Sequence, residues 1–368
     1  MNNVRVLMNA DLDGSVGGIN TWAKHIVDYY SMPGNRNSVN LSIISDKRKD
    51  FTAYTKNSVT RIIDGIITYA SFIIKLKALF DRNSYDVYHM TSSASLGLFR
   101  DYLQIRIAKR KRIKTILHFH FGRIPDLKLR NNWEWKLLLK VSRMANHVIV
   151  LDQKSYDILY NEGLHKVTKL PNPISPTVFS IISDYGCVDK RNISEVLYVG
   201  QCYRAKGVYD LVNACAEIPS ISLKLIGSIS REVAEDLERI AMGNLVLKIN
   251  GLTPYEDTIK EMLHCGVFVL PSHSEGFPNV ILESMACGCP IVTTEVGAIP
   301  EMLGIDNDSN CGICVKPHDV SGLRTAIKTM LYDRDYAMHC GQNAAIRVNE
   351  QYSMPIVWKE LVNLWNNI

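Results

Sequence analysis

Apolar residues in this 368-residue chain follow two alternating rhythms. Short β-branched and aliphatic runs at 4–8, 41–45, 85–89, 115–122 and 147–151 read as strands of a buried parallel sheet, because strands covered on both faces lose the polar alternation of half-exposed ones. Between them come stretches with apolar positions three and four apart. In the first of these, Ile19, Trp22, Ala23, Ile26, Val27 and Tyr30 share one helical face. Similar stretches at 62–80, 100–114, 133–142 and 155–163 predict further helices, the last stopped by Gly163. The rhythm restarts later in the chain. Strands are predicted at 195–200, 223–226, 245–249, 267–270 and 291–294, with helices at 230–241, 255–263, 280–286, 320–332 and 357–365. Strand and helix alternating at this interval specify parallel α/β sheets with right-handed crossovers.

Between the two series lies Lys169-Leu170-Pro171-Asn172-Pro173, followed by Pro176 and a polar, non-periodic segment at 180–192. Closely spaced prolines stiffen a connection and break regular structure, which places a domain boundary here. The length also favours two domains. The expected division is 1–172, 173–350 and a terminal helical segment, 351–368.

Composition adds a charge asymmetry. The net charge of +5 is the sum of +13 over 1–172 (27 Lys and Arg against 14 Asp and Glu) and −8 over the remainder (15 against 23). A basic first half points to an anionic partner such as a membrane surface. The acidic second half, and the lack of aromatic-basic RNA motifs, argue against a nucleic-acid protein. The densest basic stretch is 100–114, with seven basic residues, one acid and interleaved Tyr102, Leu103, Ile105, Ile107 and Ile113. It reads as a basic amphipathic helix suited to an anionic leaflet. No apolar run reaches the roughly 20 residues of a membrane span, and 62–74 is interrupted by Asp64. The N-terminus has no signal-peptide core. All nine cysteines lie in the second half, an odd number that suits reduced thiols and a cytoplasmic setting. Cys311 and Cys314 have C-x-x-C spacing without a second pair at zinc-ribbon distance, and no Asp-x-Asp or His cluster with metal spacing stands near the predicted cleft, so no metal is expected.

The segment 267–301 carries the candidate chemistry. A strand ending at Pro271 is followed by a loop with Glu275, Gly276, Phe277, Pro278 and Asn279, then a helix with Glu283 that stops near Gly288 and Pro290. This places Glu275 at the carboxyl edge of a sheet, where open α/β sheets bind ligands, with Glu283 on the helix behind. Glu275-Gly276-Phe277-Pro278-Asn279 through Glu283, Ala286-Cys287-Gly288 and Pro290 resembles the signature of the retaining glycosyltransferases of family 4. That resemblance implies a GT-B fold, two Rossmann-like domains with parallel sheets facing across a cleft. It further implies that Glu283 holds the donor ribose, and that Glu275 with Gly276, Phe277 and Asn279 holds the donor sugar. His120, at the end of the 115–122 strand, matches the family's active-site histidine, with His118 on the same face as the alternative in that strand.

Two glycine-containing turns complete the predicted donor site. Gly17-Gly18 precedes a helix whose free N–H groups favour phosphate. Gly200-Gln201-Cys202-Tyr203-Arg204-Ala205-Lys206-Gly207 matches the family's phosphate-binding turn at Lys206 and departs from it at Gln201, where the family carries Arg. Arg204 is the candidate replacement. The resemblance therefore implies a metal-independent hexosyltransferase using a UDP- or GDP-sugar as substrate, without a further cofactor. Its expected acceptor is a lipid-linked glycan in cell-surface polysaccharide synthesis, and its expected location the inner face of the cytoplasmic membrane. A sugar-nucleotide epimerase of the same fold and a catalytically silent nucleotide- and membrane-binding scaffold are the alternatives.

Overall fold

The computed structural model describes residues 3–10, 12, 18–37, 39–45, 58–186, 191–243, 245–305 and 310–368. The chain divides into two compact units, Met1–Pro171 with Val357–Ile368, and Asn172–Ile356.

Unit 1 is built on β1 (Arg5–Asn9), β2 (Asn40–Ile44), β3 (Val87–Ser92), β4 (Lys114–Phe119), β5 (His147–Val150) and β6 (Val167–Lys169). All pair in parallel in the order β2-β1-β3-β4-β5-β6. Val6, Leu7, Met8, Ile116 and Leu117 are fully buried, as expected of strands covered on both faces. The core continues through Leu98, Ile105 and Ala108 of the helix Gly97–Arg110. This helix corrects one expectation: the apolar positions interleaved among its basic residues mostly face the sheet and are used up in the core. The basic face, Phe99 and Leu103 remain outward. From the terminal helix Met354–Asn367, Trp358 packs against Tyr29 and Tyr30, and the Trp365 indole donates to Nδ1 of His89 at 3.0 Å.

Unit 2 is built on β7 (Asn192–Val199), β8 (Ser222–Ile226), β9 (Val246–Gly251), β10 (Cys265–Leu270), β11 (Ile291–Thr294) and β12 (Ile313–Val315). They also pair in parallel, in the order β12-β11-β10-β7-β8-β9. Counted from β7 this is 3-2-1-4-5-6, the order of dinucleotide-binding sheets. The order reverses between β7 and β10. In such sheets ligands bind outside the carboxyl ends of the two strands flanking the reversal. Those ends carry the Gly200–Gly207 turn and the Pro271–Pro278 loop.

Two segments differ from the sequence-based expectation. The polar stretch after the prolines contains a helix, Pro176–Tyr185, started by Ser175, whose Oγ accepts from Thr177 N, and by proline in the first turn. A 19-residue helix, Arg334–Tyr352, was not predicted at all. Apart from Tyr352 at its end, its buried face is made of Ala337, Cys340, Gly341, Ala344 and Val348, residues too small to give a strong hydrophobic periodicity.

Candidate functional site

The loop after β10 and the turn after β7 meet at the reversal point of the second sheet. Gly207 has φ +70°, and a Cβ there would lie 1.9 Å from the carbonyl oxygen of Pro271. Only glycine permits this approach. The N–H of His273 donates to Ala205 O at 3.0 Å, joining the same two segments. On the far side of the loop, a Cβ on Gly297 (φ +57°) would meet the carbonyl oxygens of Glu275 and Gly276 at 2.3 and 2.6 Å. The backbone carrying Glu275 is therefore held from both sides.

Lys206 and Glu275 come together here. Lys206 Nζ donates to Glu275 Oε1 at 2.6 Å, and Ser272 Oγ donates to the same oxygen at 2.7 Å. Both side chains are largely covered, at 23% and 12% exposure, so the pair is less screened than a surface bridge. Gly276 and Phe277 lead into the helix Asn279–Ala286. Phe277 packs its ring 5.7 Å from that of Tyr352, while Asn172 Nδ2 donates to Phe277 O and Asn279 Oδ1, both at 3.4 Å.

Glu283, on the same helix, has a different partner. Tyr255 donates its hydroxyl to Glu283 Oε1 at 3.0 Å. The residue is half-buried, but desolvation of its carboxyl group pushes it up to about 7, against the opposing hydrogen bond from Tyr255. Desolvation first, and then the Glu283 charge, push the Tyr255 hydroxyl far above its ordinary value. The two signature glutamates thus sit in unlike environments, one ion-paired and one desolvated.

Arg204 and Lys206 belong to one short 3₁₀ turn, Arg204–Lys206. The exposed Arg204 guanidinium sits over the Tyr209 ring, 4.1 Å from its centroid. The Tyr209 hydroxyl in turn donates to Asp236 Oδ2 at 3.1 Å. Gln201 is exposed on the same turn, its carbonyl accepting from the Tyr198 hydroxyl.

In unit 1, His120 follows β4 and donates its backbone N–H to Ser92 O at 3.0 Å. Its ring lies 3.9 Å from that of His118 and 4.7 Å from Trp22. His118 Nδ1 stands 3.3 Å from Nε2 of His89. The Trp365 indole can only donate, so His89 Nδ1 accepts, His89 Nε2 carries the proton, and His118 Nδ1 accepts in turn. Burial pushes His89 and His120 down to about 3 and His118 well below its ordinary value, so all three rings are neutral near pH 7. Both ring nitrogens of His120 lack a partner among the described residues. Gly18 opens the helix Gly18–Ser31 with open space where a side chain would stand, and Gly17 lies outside the described residues.

Sequence spacing offered no metal cluster, yet the fold gathers Asp210, His273 and His318 with their ligand atoms within 4.8 Å of one another. These residues stand on three segments far apart in the chain, so no local motif announces them. Among the described residues, no helix is long and apolar enough to cross a membrane.

Comparison with known proteins matches residues 188–347 to the model of "Glycosyl transferases group 1" and residues 16–178 to that of "Glycosyltransferase Family 4". The capsular polysaccharide biosynthesis glycosyltransferase CapM of Staphylococcus aureus is 30% identical over 178 residues, covering 46% of this chain and 45% of CapM. The matched regions span less than half the length of this and two other curated relatives, a plant sulfoquinovosyl transferase and a mycobacterial glycogen synthase. Among solved structures, a sucrose-phosphate synthase from Thermosynechococcus elongatus superposes with a TM-score of 0.76 at 19% identity, covering 98% of both chains. Anabaena HepE in complex with UDP-glucose superposes with a TM-score of 0.70 at 16% identity, covering 99% of this chain and 100% of HepE. The two parallel six-stranded units are those of the GT-B fold.

Proposed function

The chain belongs to the group 1 glycosyltransferases, and from that premise we propose that it transfers a sugar from a UDP- or GDP-sugar to a glycan acceptor with retention of anomeric configuration. The observation that carries this reading is the Lys206–Glu275 pair at the reversal point of the second sheet.

Transfer requires a leaving diphosphate to be stabilised while the anomeric carbon becomes oxocarbenium-like. Lys206 supplies a cation for the diphosphate from the turn after β7, and Arg204 is a second cation on that turn. Glu275, with the backbone of Gly276 and Phe277 and the side chain of Asn279, would hold the sugar, and Glu283 the ribose hydroxyls. In the proposed front-face step the acceptor hydroxyl forms the new bond to C1 as the C1–O bond to the diphosphate breaks. The hydroxyl proton passes to the departing phosphate oxygen. Glu275 then positions the sugar and does not attack it, consistent with its engagement by Lys206 and Ser272. His120, neutral and with both ring nitrogens unpartnered among the described residues, is suited to bonding a substrate hydroxyl.

The capsular role named for the staphylococcal relative supports a cell-surface glycan as product. A lipid-linked acceptor and a peripheral position at the inner membrane face are supported by the outward basic face of Gly97–Arg110 and by an exposed apolar group beside it. Leu96, Phe99 and Leu103 recur on one helical face, and Phe99 stacks on Trp133 at 6.0 Å with both rings more than half exposed. Aromatic side chains beside cations suit a headgroup region.

The test is incubation of the purified chain with UDP-glucose, UDP-N-acetylglucosamine and GDP-mannose, with and without glycan acceptors. Acceptor-dependent release of nucleoside diphosphate and an α-linked product by NMR are expected. Absence of calorimetric binding of every nucleotide sugar would overturn the reading.

A further inference from the structure

Asp210 stands in the first turn of the helix Val208–Ala216, His273 in the loop after β10, and His318 between β12 and the helix Val320–Tyr332. We propose that these three side chains form a binding site for one divalent transition-metal ion of the zinc, cobalt and nickel class, which ties the Glu275 loop to its two neighbouring segments.

Asp210 Oδ2 lies 2.8 Å from His273 Nε2 and 3.9 Å from His318 Nδ1. Ligand bonds of about 2.0–2.1 Å in tetrahedral geometry put ligand atoms roughly 3.3 Å apart. One observed separation is about half an ångström too short and the other about half an ångström too long, within reach of side-chain rotation. In metal-bound form the Asp210–His273 hydrogen bond gives way to two bonds to the ion. One carboxylate and two imidazoles make a three-ligand set that leaves a fourth position to solvent, a donor combination that zinc accepts.

A hydrogen-bonded Asp–His pair needs no third member, yet His318 joins it. Its ring lies 3.7 Å from that of His273, tilted by 42°, although its side chain is 69% exposed and free to turn into water. Its backbone has φ +67°, an uncommon conformation for a side-chain-bearing residue. Such an outlier is a reason to look for a role that offsets its cost. Exposure of His318 also supplies an entry path for an ion.

The position gives the ion a consequence. His273 is two residues from Glu275, and its backbone N–H is bonded to Ala205, beside Lys206. An ion shared by Asp210, His273 and His318 would join the loop to the start of one helix and the approach to another.

The experiment uses the full chain without a histidine tag, stripped with a chelator and assayed without nucleotide, so that its outcome is independent of the donor reading. Cobalt titration followed by visible d–d absorption, and zinc titration by calorimetry, should each show one ion per chain and a raised melting temperature. Asp210→Asn and His318→Ala should each weaken binding at least about tenfold, with the metal-free melting temperature unchanged. Lack of stoichiometric binding to the wild type overturns the proposal. So does binding that survives when Asp210→Asn and His318→Ala are combined in one chain, which would place the ion elsewhere, for example on Cys311 and Cys314.

Discussion

Lys206 Nζ and Glu275 Oε1, 69 residues apart in sequence, are 2.6 Å apart in the structure. The cation assigned to the donor diphosphate and the carboxylate assigned to the donor sugar neutralise each other before any donor arrives. A bound diphosphate would compete with Glu275 for Lys206, leaving Glu275 able to accept from sugar hydroxyls. Removing a preorganised stabiliser of developing charge costs about 10²–10³ in turnover. Lys206→Ala should therefore lower kcat by roughly that factor in a nucleoside-diphosphate release assay, and an unchanged kcat would remove Lys206 from the diphosphate site.

Arg204 poses a comparison of magnitudes. Its seat on Tyr209 is worth about 0.5–1 kcal/mol at an exposed site. A charge-assisted hydrogen bond to phosphate contributes about 1.5–3 kcal/mol. The phosphate therefore wins, and the guanidinium should leave the ring when donor binds. Arg204→Ala is expected to raise the donor dissociation constant by about 5- to 30-fold, the equivalent of 1–2 kcal/mol. Wild-type affinity in this variant, measured by calorimetry, would mean that the charge missing at Gln201 is not replaced.

Glu283 titrates in the folded chain at about 7, against an ordinary value of 4.5. Between those values the folded state holds a proton that the unfolded state has lost, so stability from this group is greatest below 4.5 and falls as pH rises through 7. Asp101, which burial likewise pushes up to about 7, adds to the same trend. Glu283→Gln should flatten the fall relative to wild type, because the amide cannot ionise while Asp101 still can. Urea denaturation of both proteins from pH 4.5 to 7.5 reads the difference; parallel curves would show that the Glu283 carboxyl is solvated.

Much of this arrangement was legible in the sequence because it is local. The 267–301 segment carries strand, loop and helix in consecutive residues, and the structure has β10, the Glu275 loop and Asn279–Ala286 in that order. The meeting of Lys206 with Glu275 was not stated by spacing, since it depends on sheet order, which hydrophobic periodicity does not encode. Asp210, His273 and His318 were invisible for the same reason. The Arg334–Tyr352 helix was missed through its small buried residues, and the basic helix was misjudged because periodicity shows an apolar face without showing what covers it.

Membrane association can be separated into its two physical parts. The charged part rests on exposed Lys109, Arg110 and Arg112 at the end of the Gly97–Arg110 helix, while nearby Lys111 is engaged with Asp81. Attraction between exposed charges decays over about 8 Å at physiological salt and about 3 Å at 1 M, so binding through these residues must weaken as salt rises. At about 1 kcal/mol for each surface-proximal cation, changing the three to Ser should reduce affinity for anionic vesicles by up to about 100-fold. The apolar part rests on Phe99 and Trp133, which are 55% and 53% exposed and can be changed to Ser without opening the core. That double variant should lose the binding that remains in 1 M salt, because burial of apolar area is not screened. Sedimentation with anionic and neutral vesicles reads both. If the Lys109, Arg110 and Arg112 variant pellets as fully as wild type, or if lipid charge has no effect on either variant, the basic face is ordinary solvated surface and the acceptor is soluble.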